Sequence, residues 1–270
     1  MLFKRRLIIA ICFTIFSGLV VLRSTYAWFV SEDSAVNKFN GTRLSAEIVE
    51  EFEPIFQWET GTNIKKVIQV KNTGEVPALV RLSLYEYLLL FEIDSTDQTG
   101  NGHLAIAPER IAPEVLQQDP TTWQPAAAAG GTFFNHGEYL IAKQAIIPDI
   151  QAGKDRYIWS DEARKKTAFR WFQLRFSTDV YKELPVDKTN YWLYKDGYFY
   201  YSERLQPGET SSPVLESVSL SKHTPNKYKA VLYQLNPIMD AHDTSNVLLD
   251  AWNIGTNGEI YELYKGFLTD

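Results

Sequence analysis

Apolar and polar residues alternate with a period of two in several separate runs along the chain. Leu44, Ala46 and Ile48 share one face opposite Arg43, Ser45 and Glu47. Ile64, Ile68 and Val70 repeat the pattern across Lys65, Gln69 and Lys71. Ala78, Val80, Leu82 and Leu84 give the cleanest run, opposite Arg81 and Ser83. Phe172, Leu174 and Phe176 alternate with Gln173, Arg175 and Ser177, Val218 and Leu220 follow the same rule, and Val231, Tyr233 and Leu235 mark one more face. This period predicts strands with one face on a core and the other in water, which antiparallel sheets allow.

The punctuation between the runs agrees. Asn72-Thr73-Gly74 separates two of them, and Lys195-Asp196-Gly197 lies between two aromatic arms, a strong hairpin signal. Pro207-Gly208 ends the second arm. Many short strands with turn signals predict an all-β, antiparallel β-sandwich rather than a parallel α/β sheet. Two stretches break the pattern. Residues 88–160 read as an irregular insertion, with one short helix expected near Ile111–Gln117. The run "DTSNVLLDAWNIG" predicts a short C-terminal helix, with Asp243, Thr244 or Ser245 as cap, Val247, Leu248, Ala251 and Trp252 near one face, and Gly255 as its end.

The N-terminus is organised differently. Lys4, Arg5 and Arg6 precede an apolar run from Leu7 to Leu22, shorter than the ~20 residues of a relaxed transmembrane helix. Arg23 closes the run, and Ser24-Thr25-Tyr26-Ala27 puts small residues where a signal peptidase reads them. The expected division is a signal peptide over 1–27, a mobile segment over 28–41 and a single β-sandwich domain over 42–270. An uncleaved anchor is the rival reading. The whole chain has a net charge of −6, and residues 1–27 hold four cations and no acid, so the remainder carries −10. Such a surface repels phosphate backbones, and nucleic acid is not an expected partner. The one cysteine, Cys12, lies in the signal, which leaves the exported part without disulfide, thiolate or cysteine-ligated metal chemistry.

Candidate chemistry is sparse. The histidines are His103, His136, His223 and His242, none of them in an HExxH arrangement, and there is no GxSxG elbow. Acids flank His136 in "NHGE" and His242 in "DAHD", an ordinary coincidence in an acidic chain. Glu50, Glu51 and Glu53 read as a solvated strand end, and Asp94, Asp97 and Asn101 lack the spacing of an EF-hand loop. No catalytic residue, metal site or cofactor is expected. "YWLYKDGYFYY" carries seven aromatics in eleven residues and makes Trp192, Tyr194, Tyr198 and Tyr200 a candidate exposed platform. The competing reading is cross-strand packing within a hairpin.

Taken in order, four stretches resemble the Gram-positive exported family of TasA, camelysin and the BsaA-type biofilm matrix proteins, which the signal peptidase SipW processes. They are "TYAWF", "SEDSAVNKFNGTRLSAEI", "KKVIQVKNTGEVPALVRLSLYE" and "WLYKDGYFYYSERLQPGETSSPVLESVSLS". The resemblance covers roughly 28–87 and 165–254 and leaves 88–160 and the tail after Gly255 unmatched. It implies a jelly-roll-like sandwich, cleavage between Ala27 and Trp28, secretion to the matrix or cell surface, and assembly with copies of itself or a paralogue. It further implies that the freed N-terminal segment adds as a strand to a neighbour, with Trp28, Phe29, Val30, Val36 and Phe39 as anchors. The alternatives are an exported camelysin-like metallopeptidase and a surface module that binds protein or glycan. The chain ends "YKGFLTD" without LPxTG, which suits non-covalent retention.

Overall fold

A computed structural model describes residues 43–51, 55–56, 58–96 and 102–269. The expected signal, the expected cleavage pair Ala27 and Trp28, and the candidate anchors Phe29, Val30, Val36 and Phe39 lie outside the described residues.

In chain order the first strands are β1 (Ala46–Glu51), β2 (Ile55–Phe56), β3 (Asn63–Asn72), β4 (Leu79–Phe91) and β5 (Ile106–Ala107). Helix α1 (Trp123–Ala129), β6 (Thr132–Asn135), β7 (Glu138–Ile146) and α2 (Asp161–Lys165) follow. Next come β8 (Phe172–Phe176), β9 (Val180–Tyr181), β10 (Trp192–Lys195), β11 (Tyr198–Tyr201), β12 (Leu215–Leu220) and β13 (Val231–His242). The last elements are α3 (Val247–Ala251) and α4 (Glu259–Tyr264).

Two sheets pack face to face, so the all-β sandwich that the alternation predicts is the fold. One sheet runs β1-β3-β12-β8. The other runs β2-β13-β4-β11-β10-β9, with β7 also on β4 and carrying β5 and β6. All these pairs are antiparallel except β9 with β10. Strand β4 is the spine, paired with β13 from Leu79↔His242 to Leu90↔Val231. Its face of Val80, Leu82, Leu84 and Leu88 meets Ile68, Val70 and Val218 from the other sheet. Its opposite face is buried too, by Tyr85, Tyr87 and Leu89, because the insertion and the C-terminal helices cover it. Between the sheets Phe172 stacks on Tyr233 at 4.1 Å and 6°, and Trp58 meets both rings edge-on.

The stretch 88–160 is more ordered than its sequence suggests. It contains the end of β4, then β5, α1, β6 and β7, and it closes a second core of Trp123, Phe133, Leu140, Tyr87 and Leu89 on the outer face. The helix lies at Trp123–Ala129 and not at Ile111–Gln117. Ile111 O accepts from Thr132 N, and Val115 N donates to Thr132 O, so this segment spends its backbone groups on β6. The alanine run is the better helix former, Pro125 falls within its first turn, and Gly130 ends it at φ 66°.

The predicted C-terminal helix is α3, but Asn246 precedes it, and it stops at Trp252 and Asn253 before reaching Gly255. Asp243 instead closes a local turn, accepting from Ser245 N at 3.0 Å and Ser245 Oγ at 2.6 Å. Leu248 and Trp252 are buried, while Val247 is 64% exposed and Ala251 is exposed. Helix α4, in the unmatched tail, completes a third cluster with Leu79 and Tyr200.

Candidate functional site

Among the described residues, the two histidines flanked by acids are engaged in local structure. Among the described residues, no group of three or more His, Cys, Asp and Glu side chains is placed to hold a metal. His136 and Gly137, at φ 47° and 92°, form the turn between β6 and β7, so "NHGE" is hairpin punctuation. His242 Nδ1 lies 2.9 Å from Asp243 Oδ1, and the same oxygen accepts from Ser245 Oγ. The carboxylate sits between hydroxyl and imidazole, so the histidine does not face the proton a serine nucleophile would lose.

The aromatic hairpin is packing and not an exposed platform, which corrects the candidate reading of its four rings. Asp196 and Gly197 take φ 48° and 86° at its tip, as a two-residue turn requires. Trp192 pairs with Tyr201 and Tyr194 with Phe199, and these rings point into the inter-sheet core. Trp192 is fully buried and Tyr194 is 8% exposed. Tyr198 and Tyr200 take the other face, where α3 and α4 cover them: Tyr200 is 6% exposed and lies 6.0 Å from the Trp252 ring. Tyr198 is half-buried between two guanidinium groups, Arg81 at 4.2 Å and Arg156 at 4.3 Å.

The feature with room for a partner is the margin of β8. That strand pairs with β12 on one side, and among the described residues no strand pairs with it on the other. Ser221 N donates to Trp171 O at 2.8 Å, which fixes the parity: residues 171, 173 and 175 aim their backbone groups at β12, and 172, 174 and 176 aim theirs outward. Beside this edge lies a cleft of about 530 Å³. Tyr157, Trp159, Phe172 and Phe176 line it with Arg164 and Arg170. Trp159 stacks on Phe176 at 4.5 Å, and Lys182 Nζ sits 4.5 Å above Trp159. The margin is therefore aromatic and cationic on a protein whose net charge is negative.

Two charged groups occupy inward positions. Glu86 stands between Leu84 and Leu88 on the core face of β4 and is 7% exposed. Its Oε1 accepts from Tyr233 OH at 2.9 Å, and its Oε2 pairs with Arg164 Nη1. Burial alone would lower the Arg164 pKa, but the charge and hydrogen bond of Glu86 outweigh it and hold it above the usual value. Lys66 stands between Ile64 and Ile68 on β3, fully buried, with its ammonium against Glu50 of β1. Burial pulls the Lys66 pKa down to about 7.

Comparison with known proteins adds no relative: no family model, no curated protein and no solved structure matches the chain.

Proposed function

We propose that the chain is a secreted structural subunit of extracellular biofilm matrix fibres, joined to copies of itself or a paralogue by addition of a strand at the β8 edge. The observation that carries this reading is that edge, with outward backbone groups at Leu174 and Phe176 beside an aromatic cleft, next to Phe172, whose N–H donates to Phe169 O and whose carbonyl accepts from Arg164. An incoming strand satisfies such groups and buries alternate side chains, which supplies affinity and specificity together. The segment "WFVSEDSAVNKFN" has the matching character: Trp28, Phe29 and Val30 for the rings, Glu32 and Asp33 for the cations. A head-to-tail contact of this kind does not close on itself and so builds filaments. The sequence resemblance to the TasA, camelysin and BsaA-type proteins supports the same reading, with cleavage after Ala27 by a SipW-type peptidase as the releasing step.

The test is electron microscopy of Trp28–Asp270 before and after concentration at mildly acidic pH, beside a form lacking Trp28–Asn37. Regular filaments from the first and none from the second, with circular dichroism unchanged, are the expected result. Filaments from both would remove the N-terminal segment from the contact. Monodisperse particles from both would remove the fibre.

A further inference from the structure

Arg164 does more than neutralise Glu86. It belongs to α2, in the segment 158–171 that leaves the second sheet after Tyr157 and returns to the first at β8. One guanidinium nitrogen pairs with Glu86, on the spine of one sheet. The other donates to Phe169 O at 2.5 Å and to Phe172 O, at the head of β8 in the other sheet. Phe172 O is the first outward-pointing carbonyl on the free margin of that strand. A single side chain thus ties the segment to both sheets and occupies the backbone acceptor that an added strand would meet first.

We infer that segment 158–171 is a strap over the β8 edge and that the Arg164–Glu86 pair is its latch. The rest of its hold is largely apolar: Trp159, Ala168, Phe169 and Trp171 pack, half-buried, against the inter-sheet core, while Lys165, Lys166 and Arg170 are exposed. Ile158 is 44% exposed, Lys165 pairs with exposed Glu162, and Arg170 rests on Trp171 at 4.4 Å while donating to Lys165 O. Trp159 is a further fastening, its backbone N–H donating to Tyr194 OH at 2.8 Å and its ring stacked on Phe176. Natural sheets protect open edges with charged side chains and covering loops, and here both devices meet in one residue. Releasing the latch frees Phe172 O and widens the cleft between Trp159 and Phe176. The inference rests on the β8 edge being the assembly contact, and it assigns to the strap the step that makes the edge available.

The experiment has two readouts on the full chain, in the form the expressing host leaves it. Limited trypsin digestion, followed by mass, reads strap opening through cuts after Arg164, Lys165, Lys166 and Arg170. Light scattering with microscopy reads filament growth. Glu86→Gln keeps an acceptor for Tyr233 OH and removes the charge that holds Arg164. Arg164→Lys keeps a charge and a tryptic site but cannot fork to three oxygens, and it serves if the first variant folds poorly. The expected result is cutting within 164–170 that is roughly tenfold faster, with the remaining fragments intact, and a shortened lag to filaments. An unchanged cutting rate in both variants overturns the latch. Faster cutting with an unchanged lag, in a protein that does form filaments, overturns the edge-guarding role. Faster cutting with no filaments from any form upholds the latch and discards the fibre reading.

Discussion

Lys66 shows what a single inward charge does to a strand pattern. Ile64, Ile68 and Val70 announce the core face of β3, and Lys66 takes the same face with its side chain fully buried. Desolvation favours the neutral amine, giving a pKa of about 7, whereas Glu50 beside it favours the ammonium. Stability against pH separates the two effects. With a folded pKa of about 7 and an ordinary value of 10.5, the unfolded chain binds a proton that the native chain lacks between those limits. Stability then rises with pH across that window, by at most about 1.4 kcal/mol per pH unit. Above pH ~10 the rise reverses. Burial raises the pKa of Tyr233 and Tyr264 well above 10, so the unfolded chain loses those protons first. Urea unfolding at pH 7, 8 and 9 is expected to give increasing midpoints, and Lys66→Met to abolish the trend. A flat profile in the unsubstituted protein would mean that Glu50 keeps Lys66 charged. Neither Lys66 nor Glu86 was legible as an inward residue. Alternation assigns polar positions to solvent, and the pairs that license these two come from other strands and from α2.

Elements were legible where one face repeats and obscure where both faces are covered. The run Ala78–Leu84 announced β4, but its outer face is closed by α3, α4 and the insertion, which no local pattern foretells. Arg81 reads as a solvent position and instead joins three elements. It forms an ion pair with Asp240 of β13 at 2.9 Å and lies over the rings of Tyr198 and Trp252. Lysine keeps the charge but not the planar stack, so Arg81→Lys is expected to cost about 1–2 kcal/mol and to change the near-ultraviolet dichroism of Trp252. The turn after α1 offers a second test, because its two glycines are needed for different reasons. Gly130 has φ 66° with open space around its Cβ direction, so Gly130→Ala is expected to cost only about 1 kcal/mol of backbone strain. A Cβ on Gly131 would lie 1.9 Å from Pro113 O, so Gly131→Ala must push the 111–115 segment off β6. The expected loss is about 2–3 kcal/mol by thermal unfolding. Equal losses at the two sites would contradict this close approach.

At the scale of the whole molecule, fold class came through from strand period and turns, and the candidate site did not. Which strand ends a sheet depends on the order of pairing, and β8 carries the same alternation as the interior strand β12. The dense aromatics drew attention to β10 and β11, where the inter-sheet core and the C-terminal helices cover the rings, while the cleft rings come from two separate places, Tyr157 and Trp159 ahead of α2 and Phe172 and Phe176 on β8, brought together by the fold and not by one continuous run. Charge divides in a similar way. The residues after Ala27 carry a net −10, which repels every incoming copy, whereas Arg164 and Glu86 form one local pair, 15% and 7% exposed. Salt acts on these differently. Raising ionic strength from 0.01 to 0.15 M shortens the Debye length from about 30 to about 8 Å, which screens the long-range repulsion but hardly touches a buried pair. If repulsion limits encounter and the latch limits edge opening, the two barriers are independent. Filament lag times measured across that salt range should then fall several-fold for the unsubstituted protein and for Glu86→Gln alike, as two parallel curves with the variant always faster. Curves that converge at high salt would place the barrier in surface charge alone, because a latch buried between the sheets keeps its hold whatever the ionic strength.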